Sequence, residues 1–176
     1  APDYVVMAGW RQMVPQAVLD IPAMGFVSFH PTRLPWGRGP APLINQILAG
    51  AESSAMSLMY PADGVDSGDL VGQALFGIEP TDHAPDVYKK VVDGGVALGV
   101  RHLPQLARGT APRTPQDEAK AFVFPRPKRA NFIDLDEDIE STYRRIRALS
   151  EPYRGAHVTD PAGNRLVVWR ADPPVG

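Results

Sequence analysis

The sequence has no cysteine among its 176 residues. A disulfide framework, a zinc–thiolate site and a cysteine nucleophile are therefore excluded. The absence agrees with a reducing cytoplasm, the compartment expected here. Long apolar runs are also missing. None approaches the ~20 residues of a membrane helix, and no signal-peptide pattern opens the chain, so no membrane association is expected. Neither charge dominates: 18 Lys and Arg against 20 Asp and Glu give a formal net charge of −2. That balance offers no electrostatic footprint for a phosphate backbone, which makes nucleic acid an unfavoured partner. The four histidines, His30, His83, His102 and His157, lie scattered without metal-ligand spacing, and no metal is expected. No Gly-x-Ser-x-Gly elbow or phosphate-binding glycine loop occurs.

What remains is globular in character, with 44% apolar and 22% charged residues. A chain of this length forms one domain, or one with a small appendage, and buries roughly 70% of the surface its unfolded form exposes. Its 19 prolines and 16 glycines are enriched but not at low-complexity levels. The apolar run at 3–8 (DYVVMA) predicts a strand of a sheet covered on both faces. A domain rarely begins with such a strand, so sequence preceding Ala1 is expected. A short helix comes next at 14–19, then a strand at 25–29 ending in His30, and a proline-rich loop at 31–42. Helical spacing returns at 43–48 before Gly50. Strands at 55–60 and 70–76 flank an acidic turn, and a long helix covers 85–106, weakened by Gly94, Gly95 and Gly99. A Pro/Arg/Thr-rich connector at 108–129 is the candidate subdomain boundary, dividing 1–125 from 126–176. A dipole-matched helix at 136–149 and a hairpin at 156–169 complete the chain.

Strands alternating with helices predict an α/β layered fold, with working residues in loops at strand ends. Two loops qualify, one opened by His30 and one around Asp66. An imidazole suits proton transfer near neutrality, although a strand-end histidine can equally cap a carbonyl. Asp63, Asp66 and Asp69 lack the spacing of a calcium loop and also suit an ordinary acidic turn. Among the tryptophans, Trp36 lies in the Gly/Pro loop and is the one suspected of touching a ligand.

Taken together, the run Phe29-His30-Pro31-Thr32-Arg33-Leu34-Pro35-Trp36-Gly37-Arg38-Gly39-Pro40-Ala41-Pro42 and the later Leu58-Met59-Tyr60-x-x-Asp63-Gly64-Val65-Asp66-Ser67-Gly68-Asp69 resemble the formyltransferase family. That family includes methionyl-tRNA, glycinamide ribonucleotide and sugar N-formyltransferases. The opening DYVVMAGWRQMVP resembles its pterin-holding strand and loop. The segment around Ile133-Asp134-Leu135 and 143–156 is similar to the stretch after the catalytic domain in the tRNA and sugar enzymes. The resemblance implies the second half of a doubly wound, mostly parallel sheet, plus a C-terminal helix and β-hairpin. It also implies 10-formyltetrahydrofolate as cosubstrate. Residue by residue, His30 matches the catalytic histidine, Asp66 the aspartate, and Ser28 stands where the family has asparagine. Gln12, Met13, Val14, Tyr60, Asp63 and Gly64 match the pterin-contact positions, and Trp36, Arg38 and Gly39 are the substrate-contact candidates.

The activity implied is N-formyl transfer to the amine of a small molecule, most simply a nucleotide-linked amino sugar. The alternatives are a truncated methionyl-tRNA formyltransferase and a non-catalytic folate- or nucleotide-binding remnant, which Ser28 favours. The apolar strand 166–169 (LVVW) predicts a homodimer through the terminal hairpin, as in the resembled sugar enzymes.

Overall fold

A computed structural model describes residues 2–10, 12–128 and 131–175. Ala1, Arg11 in the first loop and Arg129 at the far end of the connector lie outside the described residues. Strand β1 (Val5–Met7) leads to a single-turn helix, α1 (Gln16–Leu19), and to β2 (Phe26–His30). Strand β3 (Trp36–Arg38) and helix α2 (Pro42–Leu48) precede the long pair β4 (Ser53–Met59) and β5 (Leu70–Gly77). Helix α3 (Ala84–Ala107) comes next, then a 3-10 turn at Glu118–Lys120 and β6 (Phe122–Val123). Helix α4 (Ile139–Leu149) and the hairpin β7 (Ala156–Thr159) and β8 (Arg165–Val168) finish the chain.

The main sheet has the order β1-β2-β4-β5. Its parallel pairing is β1 with β2, whereas β4 runs antiparallel to both β2 and β5. These four strands thus hold one parallel pair and two antiparallel ones. The cause is local: 60–69 is too short for a helical crossover, so β5 must fold straight back on β4. Period-two alternation sorts β2 cleanly. Val27 and Phe29 join an apolar cluster with Leu58, Val71, Leu98 and Leu106, which leaves Ser28 and His30 together on the opposite face. A second cluster joins Leu43 and Ile47 of α2, Val87 and Val91 of α3, and Ile146 and Leu149 of α4. Ala156 of β7 belongs to it too, so segments on either side of residue 125 meet in one core.

Edges and ends differ from expectation in informative ways. Strand β1 is an edge, and Val6 is 47% exposed rather than covered on both faces. Helix α4 starts at Ile139, because Asp138 caps it by accepting from the Ser141 amide at 2.9 Å. On the hairpin, Val158 and Val168 pack inward while Leu166, Val167 and Trp169 stay exposed. Val167 and Trp169 share the outer face, whereas Leu166, opposite Val158, lies on the inner one; the homodimer expectation rests on these exposed apolar side chains. No helix among the described residues is long and apolar enough to cross a membrane.

Candidate active site

The site is assembled from β2, β3 and the acidic loop between β4 and β5. Met59, the last residue of β4, pairs with Ser28. The acidic loop therefore leaves the sheet beside the middle of β2, not at the strand end where His30 sits. It has to return along the sheet face to bring Asp66 to His30, a path that differs from the adjacent strand ends expected. Gly68 makes the return possible, since a Cβ there would run into the Tyr60 carbonyl oxygen.

His30 is buried, with Nδ1 3.5 Å from Asp66 Oδ2 and Nε2 2.9 Å from the Gly37 carbonyl oxygen. The Gly39 amide donates to the same Asp66 Oδ2 at 2.8 Å. Asp66 itself has φ +46°, a left-handed conformation uncommon for a residue with a Cβ. Ser28 and Asp66 both line an open cleft. Gln12, Met13, Val14 and Gly64 also line it, four of the six positions matched to pterin contacts. Met7, Leu19 and Met59 supply its apolar lining. A lining that mixes apolar side chains with polar groups fits a flat heteroaromatic ring with a polar edge. The other two pterin candidates lie elsewhere. Asp63 is exposed away from the cleft. Tyr60 is buried, with the Arg113 guanidinium 3.6 Å from its ring centre. Burial pushes the Tyr60 phenol above its ordinary value; Tyr4 adds to the effect and the Arg113 cation opposes it.

The three substrate-contact candidates are occupied within the chain. Trp36 packs edge-on to Phe124 at 4.8 Å and stacks over Phe122 at 6.3 Å, so its ring seats β3 on β6. Arg38 is 5% exposed and gives its guanidinium to Glu118 and Gln116. Gly39 contributes its amide to Asp66 rather than a surface to ligand. Within this chain Trp36, Arg38 and Gly39 form a scaffold behind Asp66. Gln116 and Glu118 are not legible in the sequence as part of the site, because they sit in the unpatterned connector and meet Arg38 across 78 and 80 residues. Among the described residues, no group of three or more His, Asp or Glu side chains is placed to hold a metal.

With this geometry in view, known proteins can be compared. The Formyl transferase family model matches residues 1–103. The chain belongs to the formyl transferase family. A methionyl-tRNA formyltransferase of Bacillus licheniformis is 34% identical over 97% of this chain and 54% of its own length. The chain spans about half the length of the curated relatives it matches. Among solved structures, a sugar N-formyltransferase from a Shewanella species superposes with a TM-score of 0.84 at 20% identity, over 99% of this chain and 71% of that one. HypX from Aquifex aeolicus in complex with tetrahydrofolic acid gives a TM-score of 0.78 at 23% identity, over 90% of this chain and 27% of that one. At these identities the two structures show a shared fold.

Proposed function

We propose that this protein transfers a formyl group from 10-formyltetrahydrofolate to a primary amine. The observation carrying the proposal is that Ser28 and Asp66 line one cleft, with His30 3.5 Å behind the Asp66 carboxylate, on the positions that match the family's catalytic set. The tetrahydrofolate complex of the HypX relative supports the choice of cosubstrate. When bound, the folate supplies the formyl carbon. The residues of this chain hold and orient. Asp66 lines the cleft as an acceptor for the proton that the attacking amine sheds as its nitrogen bonds the formyl carbon. Ser28 offers its hydroxyl to the formyl oxygen as charge develops there. His30 joins it when Nε2 exchanges the Gly37 carbonyl for that oxygen, its ring meanwhile kept beside the carboxylate. In the balanced reaction the new C–N bond forms, the bond from carbon to the folate nitrogen breaks, and the amine proton ends on that nitrogen.

Two acceptor classes remain, each with its own support. A nucleotide-linked amino sugar fits the formal charge of −2, which gives tRNA little to hold. Methionyl-tRNA is favoured by relatives of that name at 32–34% identity. A direct assay separates them: the protein is given formyl-labelled 10-formyltetrahydrofolate with each acceptor in turn. Label on one amine identifies the class. Calorimetric folate binding without label on either acceptor supports the non-catalytic remnant instead, and no folate binding overturns the proposal.

A further inference from the structure

We infer that Gln116 is the positioning residue that fixes the Asp66 turn against His30. This rests on the formyl-transfer reading for its purpose, though not for its test. Asp66 holds a left-handed φ, a sparsely populated conformation for a residue with a Cβ, and contacts that fix it therefore bear on the geometry of its carboxylate. The acidic loop supplies little of that restraint itself. It comes from residues far away in sequence.

The Gln116 side-chain amide donates both of its protons to this turn, to the Asp66 carbonyl at 2.8 Å and the Gly68 carbonyl at 2.7 Å. One side chain thereby clamps the peptides on either side of the Ser67–Gly68 pair. Its oxygen accepts from Arg38 Nε at 3.1 Å and Nη2 at 2.9 Å. The amide orientation is dictated by these partners. Flipped, its NH₂ would face a guanidinium and its oxygen two carbonyls, with four bonds lost. Arg38 is anchored in turn by Glu118, with Nη2 to Oε1 at 2.6 Å and Nη1 to Oε2 at 3.0 Å. A two-pronged guanidinium–carboxylate contact fixes direction as well as distance. The next residue after β3, Gly39, holds the Asp66 carboxylate through its amide. Backbone and side chain of Asp66 are thus both set from the Arg38–Gly39 unit, the backbone by way of Gln116. Gln116 does not line the cleft, so its effect must pass through Asp66.

The test uses Gln116→Glu and Gln116→Ala in the whole protein. Gln116→Glu keeps size and the acceptor for Arg38 but removes both protons, and it sets a carboxylate against two carbonyls. The activity-independent readout is hydrogen exchange at the Gly39 amide, whose acceptor is Asp66 Oδ2. Its protection is expected to fall by about tenfold or more in both variants, the scale of one lost hydrogen bond, while the β4–β5 ladder amides keep theirs. The second readout is kcat. Gln116→Glu should lower it in the parent background and leave it unchanged beside Asp66→Asn, as for residues acting as a unit. Unaltered Gly39 protection in either folded variant overturns the inference, as does an undiminished kcat effect beside Asp66→Asn. If the parent transfers no formyl group the function proposal fails, and the Gly39 amide still decides the role of Gln116.

Discussion

Two polar clusters in this chain, one around buried Arg38 and one around buried Arg147, meet the same physical problem in opposite ways. Behind the acidic loop, Arg38 and Gln116 use their donors and acceptors on each other, on Glu118 and on the Asp66–Gly68 turn. Between α3 and α4, His83 Nε2, the Tyr143 hydroxyl and Arg147 Nε are buried without a partner among the described residues. Aromatic rings lie beside them: the His83 and Tyr143 rings pack edge-on 6.4 Å apart, and the Arg147 guanidinium lies over the Tyr143 ring, 5.1 Å from its centre. Arg147 is only partly compensated, donating through Nη1 to the Glu79 and Asp82 carbonyls. A buried polar group costs free energy unless it is bonded. Arg38 and Gln116 are thus paired beside the candidate site, whereas His83, Tyr143 and Arg147 are incompletely paired where α3 and α4 pack. The first cluster should break function when disturbed, and the second should change stability alone.

The largest expected effect is on the site side of this contrast. His30→Asn and Asp66→Asn should each cut formyl-transfer turnover by about 10²–10³, the range for losing a donor aimed at developing charge. Because the two side chains face each other at 3.5 Å, the double variant should be little worse than either single one. Steady-state rates with saturating folate and acceptor check this. Additive losses would mean that the two groups work separately. Neither variant should alter the melting temperature as strongly as it alters the rate.

The same contrast explains how much is legible in the sequence. Helix α3 is readable to within a residue at each end, because 24 residues of helical spacing outweigh local noise. Its mid-helix glycines look like a weakness on propensity alone, yet Gly94 serves packing. A Cβ there would lie 3.1 Å from Met56 Cβ and 3.4 Å from Ala74 Cβ, so glycine lets α3 settle on β4 and β5. His30 and Asp66 are legible through their motifs, and the structure brings them together. Strands β3 and β6 are not, since three and two residues are too short to show alternation. Their pairing joins Trp36 to Phe122 across about half of the chain. Gln116 is invisible for the same reason: its partners are tertiary, and nothing near it in sequence marks it. Trp36 draws attention by its loop position and Arg38 through the resemblance, while their contacts with Phe124 and Glu118 are tertiary and equally unmarked in the sequence.

A smaller effect tests the unpaired cluster through pH. Burial holds the His83 imidazole below its ordinary value; the Thr81 carbonyl and Asp86 oppose this, while Arg170 and Arg147 reinforce it. The folded protein then binds fewer protons at His83 than the unfolded chain does. Stability contributed by the neutral ring is present above the unfolded value near 6.5, and it is lost as pH falls through the folded one. Thermal melts from pH 7.5 to 5.5 should show a steeper decline for the parent than for His83→Asn. Asparagine retains a helix N-cap for α3 and has no proton to gain. Parallel declines in the two proteins would show that His83 is not the group responsible.

The smallest effect has the opposite sign and bears most directly on the comparison. Tyr143 is 5% exposed, and its hydroxyl is buried without an acceptor or donor among the described residues. The ring belongs to the face of α4 that packs inward with Ile146 and Leu149. Tyr143→Phe removes the unbonded oxygen and keeps the ring that His83 and Arg147 pack against. Deleting an unsatisfied hydroxyl returns a desolvation cost of about 1 kcal/mol, the lower end of the usual range for such groups. For a domain of this size that raises the melting temperature by about 2–4 °C. Removing the polar amide of Gln116 should do the reverse, because each of its bonds is made and its partners would be stranded. Calorimetric melts of Tyr143→Phe and Gln116→Ala beside the parent read both signs in one experiment. A destabilised Tyr143→Phe would mean that the hydroxyl has a partner in solution, and the two clusters would then no longer differ in kind.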